Sequence, residues 1–243
     1  MSPKSKIILA LDSNNFSKIK NILTIISKEI YGVKVGYQYF YKFENKGLNL
    51  LKKNKIKIFL DLKLHDIPNT VYMGIKALNK IKADMITVHI SGGEKMLSLT
   101  KKIKNNTRLI GVTALTSLNK KDIRSIYNRP NAKKLVTDMA KIAIKNKMHG
   151  IVCSPKEINI VKRLAKRKLI IIAPGIRLKN SKIKNDDQER TLDPKKAIDL
   201  GADYIVIGRP ILNSKNPKKL VQYINEQTKW KKRKNKNLWN KEF

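Results

Sequence analysis

Cysteine is nearly absent from this chain. Cys153 is the only one, so no internal disulfide can form, as suits a reducing compartment. It lies in the apolar run Gly150-Ile151-Val152-Cys153, where a thiol reads as buried packing rather than as a nucleophile. Histidine is scarce too. No clear cluster of carboxylates or histidines surrounds His65 or His89 in the sequence, so both read as structural or supporting groups and no metal is expected. No apolar run approaches the roughly 20 residues of a membrane span. Ile7 to Leu11 is also too short for the apolar part of a signal peptide, and a cytoplasmic protein is expected. Acidic side chains are few: 18 against 54 basic ones, a formal net charge of +36. Such a balance raises the question of nucleic acid. The lysines, however, are spread along the whole chain beside many Ile and Asn, and aromatics make up only 6%. A single-strand binder needs clustered charge and stacking rings. The charge therefore reads as compositional drift, and no specific nucleic-acid partner is expected.

What is present is a rhythm. Eight short runs rich in Ile, Val and Leu recur: Ile7–Leu11, Gly32–Val35, Ile56–Leu62, Met85–His89, Leu109–Val112, Gly150–Cys153, Leu169–Ala173 and Tyr204–Ile207. Nearly continuous apolar runs are typical of parallel strands buried on both faces. Helical spacing is clearest in Asn69–Ile81, Glu94–Lys104, Lys133–Lys147, Lys156–Lys166 and Pro217–Gln227. Pro155 and Pro217 suit first turns, with Ser154 and Asn216 as caps. Eight strands alternating with helices, in 243 residues, predict one (β/α)8 TIM barrel over residues 1–228. A doubly wound sheet would usually carry a glycine-rich loop after its first strand. Here Asp12-Ser13-Asn14-Asn15 stands instead. The segment Ile176 to Leu192 is long enough to serve as a lid, and residues 229–243 read as a basic extension.

Barrel enzymes work at the C-terminal ends of their strands. Asp12, Lys34, Asp61, Lys63 and His89 stand there, with Asp66 in the loop beyond strand three. Asp61 and Lys63 are two apart, so strand alternation puts them on one side. Lys34, Asp61, Lys63 and Asp66 can then form an alternating set whose charges cancel, since buried charges need partners. Pro174-Gly175-Ile176-Arg177 and Ile207-Gly208-Arg209 occupy the two loops that commonly bind phosphate in this fold. Their glycines let backbone approach an oxyanion, and their guanidinium forks match one.

The run Phe59-Leu60-Asp61-Leu62-Lys63-Leu64-His65-Asp66-Ile67-Pro68-Asn69-Thr70 resembles the signature of the orotidine 5′-phosphate decarboxylases. Ala10-Leu11-Asp12, Val33-Lys34-Val35-Gly36, Val88-His89-Ile90-Ser91-Gly92-Gly93, Leu115-Thr116-Ser117 and the two phosphate loops support the resemblance in order, over roughly residues 6 to 228. It implies decarboxylation of orotidine 5′-monophosphate to UMP by a homodimer, with no cofactor or metal. Carried over, Lys63 is the proton donor, Asp61 lies beside the departing carboxylate, and Lys34 holds the network and contacts ribose. Asp66 and Thr70 are lent to the partner's site. Asp12 binds ribose hydroxyls, and Thr116 and Ser117 lie near the pyrimidine. Pro174, Arg177, Gln188, Gly208 and Arg209 belong to the phosphate end. Magnesium-dependent sugar-phosphate relatives share Asp-x-Lys-x-x-Asp but typically carry an acid where Lys34 stands.

Overall fold

A computed structural model describes residues 5–103, 106–166, 168–178 and 192–229. The eight strands are β1 (Ile7–Ala10), β2 (Gly32–Val35), β3 (Ile58–Leu64), β4 (Met85–His89), β5 (Arg108–Val112), β6 (Gly150–Val152), β7 (Ile170–Ala173) and β8 (Tyr204–Ile207). All neighbours pair in parallel, and β8 returns to β1 to close the barrel. Each lies within two residues of the run that announced it, at either end. The helices are α1 (Phe16–Ile26), α2 (Tyr37–Lys53), α3 (Pro68–Leu78), α4 (Gly93–Thr100), α5 (Lys120–Tyr127), α6 (Ala132–Lys145), α7 (Ile158–Ala165), α8 (Pro194–Leu200), α9 (Arg209–Leu212) and α10 (Pro217–Thr228). Helical spacing alone had not singled out α1, α2, α5, α8 or α9. α2 is the longest of these, and a non-helical residue, Glu44, interrupts it.

The abundant asparagine does local work. Asn15, Asn131 and Asn216 each accept a hydrogen bond from a first-turn backbone N–H, of Lys18, Lys134 and Lys219 respectively. Asn119 closes a capping box with Asp122. Such caps satisfy donors that a helix start leaves open. The expected caps Ser154 and Asn216 are both in place, although Ser154 opens a short 3-10 turn before α7. The helix expected to reach Lys104 ends at Thr100, where the Thr100 hydroxyl folds back onto the Leu97 carbonyl.

Strand alternation sorts the barrel into two apolar layers. Ile8, Ala10, Phe59, Met85, Ile110, Ile172, Tyr204 and Val206 form one cluster made of strand residues alone, and this is the barrel interior. The intervening residues, among them Leu9, Val33, Leu60, Ile86, Ile171 and Ile207, pack with the helices in the other. Lys34 faces inward between Val33 and Val35, and Asp61 comes two residues after the inward Phe59. Two charged side chains therefore top an otherwise apolar interior. Among the described residues no helix is long and apolar enough to cross a membrane. The expected basic extension lies outside the described residues beyond Lys229.

Candidate active site

A cavity of about 310 Å³ opens at the C-terminal ends of the strands. It is lined by Asp12 after β1, Lys34 on β2, and Asp61 and Lys63 on β3. Thr116 and Ser117 come after β5, Pro174, Gly175 and Arg177 after β7, and Gly208 and Arg209 after β8. Its floor is apolar, with Phe59, Val112, Val152, Ile172 and Val206. Cys153 also lines it and is almost fully buried. Of the described residues expected to bind substrate or act in catalysis, Asp66 and Thr70 are not among the lining residues. Gln188 lies outside the described residues, as does most of the expected lid.

The charged centre is a chain of ion pairs. Lys34 Nζ lies 3.5 Å from Asp12 Oδ1 and 3.4 Å from Asp61 Oδ2, and Lys63 Nζ lies 2.9 Å from that same Oδ2. The alternating set is thus Asp12–Lys34–Asp61–Lys63. Within one chain the set gains Asp12, and the chain's own Asp66, expected from sequence to end it, does not join. Asp66 is exposed, and its carboxylate accepts from the Ile67 N–H at 2.6 Å. The observed set is neutral overall, which offsets the desolvation cost at its buried centre, Asp61. Burial opposes charge on both central members, yet the ion pairs prevail. They hold the Asp61 carboxyl below its ordinary range and raise the Lys34 ammonium above its own.

A second correction concerns how Asp61 and Lys63 meet. Regular alternation was the expected cause, but β3 is bulged there. Leu60 pairs with Ile86 and Leu64 with Val88, so four steps along β3 match two along β4. Lys63 itself is in the left-handed region, with φ 44°. That conformation costs a non-glycine residue about 1–2 kcal/mol. Bulges of this kind re-aim side chains beside active sites. The bulge is held from both sides. Thr87, fully buried on β4, accepts from the Lys63 N–H at 2.7 Å and donates to Asp61 Oδ1 at 3.2 Å. Tyr37, opening α2, donates to the Leu62 carbonyl at 2.9 Å and places its ring 5.8 Å from Lys63 Nζ. Sequence reasoning passed over both. Thr87 had a signal, being a polar residue on the inward parity of β4 with Met85 and His89. Tyr37 had none.

The opposite wall is suited to an oxyanion. Gly175 adopts φ 73°, a conformation natural to glycine. A side chain at Gly208 would crowd Ala10 Cβ at 3.2 Å. Arg177 and Arg209 enter from these two loops. The two ends of the long β7–α8 connection are drawn together at the rim. Ile176 and Leu192 form a parallel bridge, with Arg177 N–H to Leu192 O at 2.9 Å and Leu192 N–H to Gly175 O at 3.1 Å.

His65 and His89 pack as neighbouring rings, 5.1 Å apart between centroids. The His89 Nδ1 is buried without a hydrogen-bond partner. Burial, with His65 and Lys63 nearby, pulls its pKa down to about 4, so the ring is neutral near pH 7. Among the described residues no group of three or more His, Cys, Asp or Glu is placed to hold a metal ion.

The orotidine 5′-phosphate decarboxylase / HUMPS family model matches residues 5–224. The chain belongs to this family. It is 40% identical over 220 residues to an orotidine 5′-phosphate decarboxylase of Wolbachia pipientis, covering 90% of this chain and 96% of that one. A relative of the same name from Wigglesworthia glossinidia brevipalpis is 41% identical over 224 residues, covering 90% and 96%. Among solved structures, the orotidine 5′-phosphate decarboxylase of Lactobacillus acidophilus superposes with a TM-score of 0.77 at 33% identity, over 93% of this chain and all of that one.

Proposed function

We propose that this chain decarboxylates orotidine 5′-monophosphate to UMP and carbon dioxide without a cofactor, with Lys63 as proton donor. The observation that carries the reading is the Asp12–Lys34–Asp61–Lys63 chain of ion pairs, centred on the buried Asp61, facing two Gly-Arg loops across one cavity. Phosphate at Arg177, Gly208 and Arg209, with Pro174 beside them, anchors one end of the nucleotide, and Gln188 is assigned to the same end by the family resemblance alone. Asp12 and Lys34 take the ribose hydroxyls. Thr116 and Ser117 face the pyrimidine, and its departing carboxylate comes to lie beside Asp61.

The chemistry is governed by charge. The bond between the ring carbon and the carboxylate breaks, and its electron pair stays on the ring. The ammonium of Lys63 stabilises that pair and then gives it a proton, leaving a neutral amine that solvent reprotonates. Asp61 pairs with the Lys63 ammonium and crowds the substrate carboxylate, a ground-state effect. Phosphate binding far from the reacting carbon favours closure of the site and so contributes to turnover as well as to affinity.

The site is completed in a homodimer in this reading. Asp66 and Thr70 are exposed and stand apart from their own cavity's lining. Ile67, next to Asp66 in sequence, is 67% exposed and Met73, three residues after Thr70, is 50% exposed. Exposed apolar side chains beside these two residues suit an interaction surface, and the partner's cavity is where Asp66 and Thr70 then act.

Turnover of orotidine 5′-monophosphate in excess chelator is the direct test. Full activity is expected. No turnover, or turnover that the chelator abolishes, would refute the reading and favour a metal-dependent sugar-phosphate relative. Mixing inactive Lys63→Ala and Asp66→Ala chains should restore part of the activity through hybrid dimers. Absence of rescue, with subunit exchange verified, would refute the shared site.

A further inference from the structure

The geometry points to Thr87 as a positioning residue for the reacting pair, a role that rests on the proposed roles of Lys63 and Asp61. Thr87 does not line the cavity and is fully buried, so it cannot touch substrate. Both hydrogen bonds of its hydroxyl nevertheless end on the two residues assigned to the chemistry. Its single proton goes to Asp61 Oδ1 at 3.2 Å, and its oxygen accepts from the Lys63 backbone N–H at 2.7 Å.

Each bond has a separate consequence. The bond to Oδ1 fixes the rotation of the Asp61 carboxylate. The other oxygen, Oδ2, is thereby left facing both ammonium groups, at 3.4 Å from Lys34 and 2.9 Å from Lys63. The bond from the Lys63 N–H sits where β3 is out of register with β4. A ladder partner is missing there, and an N–H without one inside a protein carries the full cost of desolvation. Thr87 supplies the missing acceptor and so stabilises the left-handed turn of Lys63, which a lysine does not favour by itself. One hydroxyl thus sets the backbone of the proton donor and the orientation of its counter-ion.

A merely structural threonine would matter through its methyl group and volume. The positioning role depends on the hydroxyl. Thr87→Val keeps the shape and removes the hydroxyl. Its kcat is expected to fall about 30-fold, the consequence of losing aligned hydrogen bonds worth about 2 kcal/mol in the transition state. KM should stay within about threefold, because phosphate and ribose contacts are untouched. Thr87→Ser restores the hydroxyl and should recover kcat to within about threefold. The acid limb of kcat/KM should move to higher pH in Thr87→Val, since the Asp61 carboxylate loses a donor that favours its charged form. The groups facing that carboxylate are Lys34, Lys63, Thr87 and, farther off, Asp12, Tyr37 and His89. Apart from Thr87 itself, none of these changes between the two variants.

Should Thr87→Val fail to fold, as judged by circular dichroism, Thr87→Ala is read in the same way. A hydroxyl-free variant with wild-type kcat overturns the assignment. So does a loss that Thr87→Ser does not recover, or one that appears wholly in KM. Lys63→Ala separates the two levels. If it retains turnover, the reading of Lys63 falls and Thr87 with it. If it abolishes turnover while Thr87→Val is unaffected, only the role of Thr87 is lost.

Discussion

Replacing Asp61 with asparagine tests whether the charged chain holds itself together or is held against its own repulsion. Asp61 Oδ2 is shared by two ammonium groups at 3.4 and 2.9 Å. At an effective dielectric constant of about 20, each contact is worth roughly 5–6 kcal/mol before desolvation is subtracted. Burial of the carboxylate, whose residue is 8% exposed, returns several kcal/mol of that gain. Breaking such a buried arrangement by removing one partner leaves Lys34 and Lys63 close together with only Asp12 opposing them. The expected loss is about 3–5 kcal/mol, or on the order of 10 °C in Tm for a chain of this length. Urea unfolding of both proteins at one fixed concentration measures it. The pH dependence adds a sign. Asp61 titrates below its ordinary range when folded, so its stabilisation is complete above the unfolded value of about 3.9 and is lost as pH falls through the folded one. The gap between wild type and Asp61→Asn should therefore stay constant near neutrality and close below about pH 4. The Lys34 ammonium is raised, so its contribution fades only at the alkaline end, as pH rises through the folded value. An Asp61→Asn protein as stable as wild type, or more so, would refute the reasoning. The four charges would then oppose folding and be retained for turnover alone.

The same geometry bears on three other measurements. His89 is pulled down to about 4 when folded and titrates near 6.5 when unfolded, so it stabilises above about pH 6.5 and that contribution is lost as pH falls toward 4. It amounts to at most about 3 kcal/mol, less after solvent screening. His89→Asn should flatten the stability profile in that window, and an unchanged slope in urea melts would count against it. Tyr37→Phe removes the hydroxyl that holds the Leu62 carbonyl and should lower kcat by about three- to tenfold, for a hydrogen bond of about 1 kcal/mol. Wild-type kinetics would show the α2 side of the clamp to be dispensable. The +36 formal charge should draw an anionic nucleotide in, so kcat/KM is expected to drop several-fold as salt rises and the Debye length shrinks from about 30 to 8 Å, with kcat steady. A flat salt profile would mean that chemistry rather than encounter limits kcat/KM.

The strands were readable because each is a local event. Tyr204–Ile207 is largely apolar on both faces, as a parallel strand between interior and helices must be, and its bounds, like those of Met85–His89, match the sequence runs. α2 was harder. Its many tyrosines and Gly47 blur a helical stripe, and the backbone departs from the helix at Glu44. Loop positions were readable for a related reason: residues just past the C-terminal end of a barrel strand must stand at the mouth in space. That rule placed Asp12, Pro174, Arg177, Gly208 and Arg209 around one cavity, and the family resemblance added Thr116 and Ser117.

The same rule failed within β3, and the failure is informative. Nothing in Asp61-Leu62-Lys63 announces a left-handed residue, since neither glycine nor asparagine stands there. The compensation comes from Thr87, 24 positions away, and a contact that distant leaves no periodic trace in either segment. The bulge also separates residues that the sequence joins. Up to Lys63 the run faces its own cavity. Past Leu64, where pairing with Val88 resumes, His65 and Asp66 lie outside it and exposed. A regular strand would have set Lys63 and Asp61 side by side by alternation alone, with an ordinary ladder and no use for the Thr87 hydroxyl. The structure instead concentrates backbone strain at the residue assigned as proton donor, which is where strain is tolerated when a side chain must be aimed rather than merely packed.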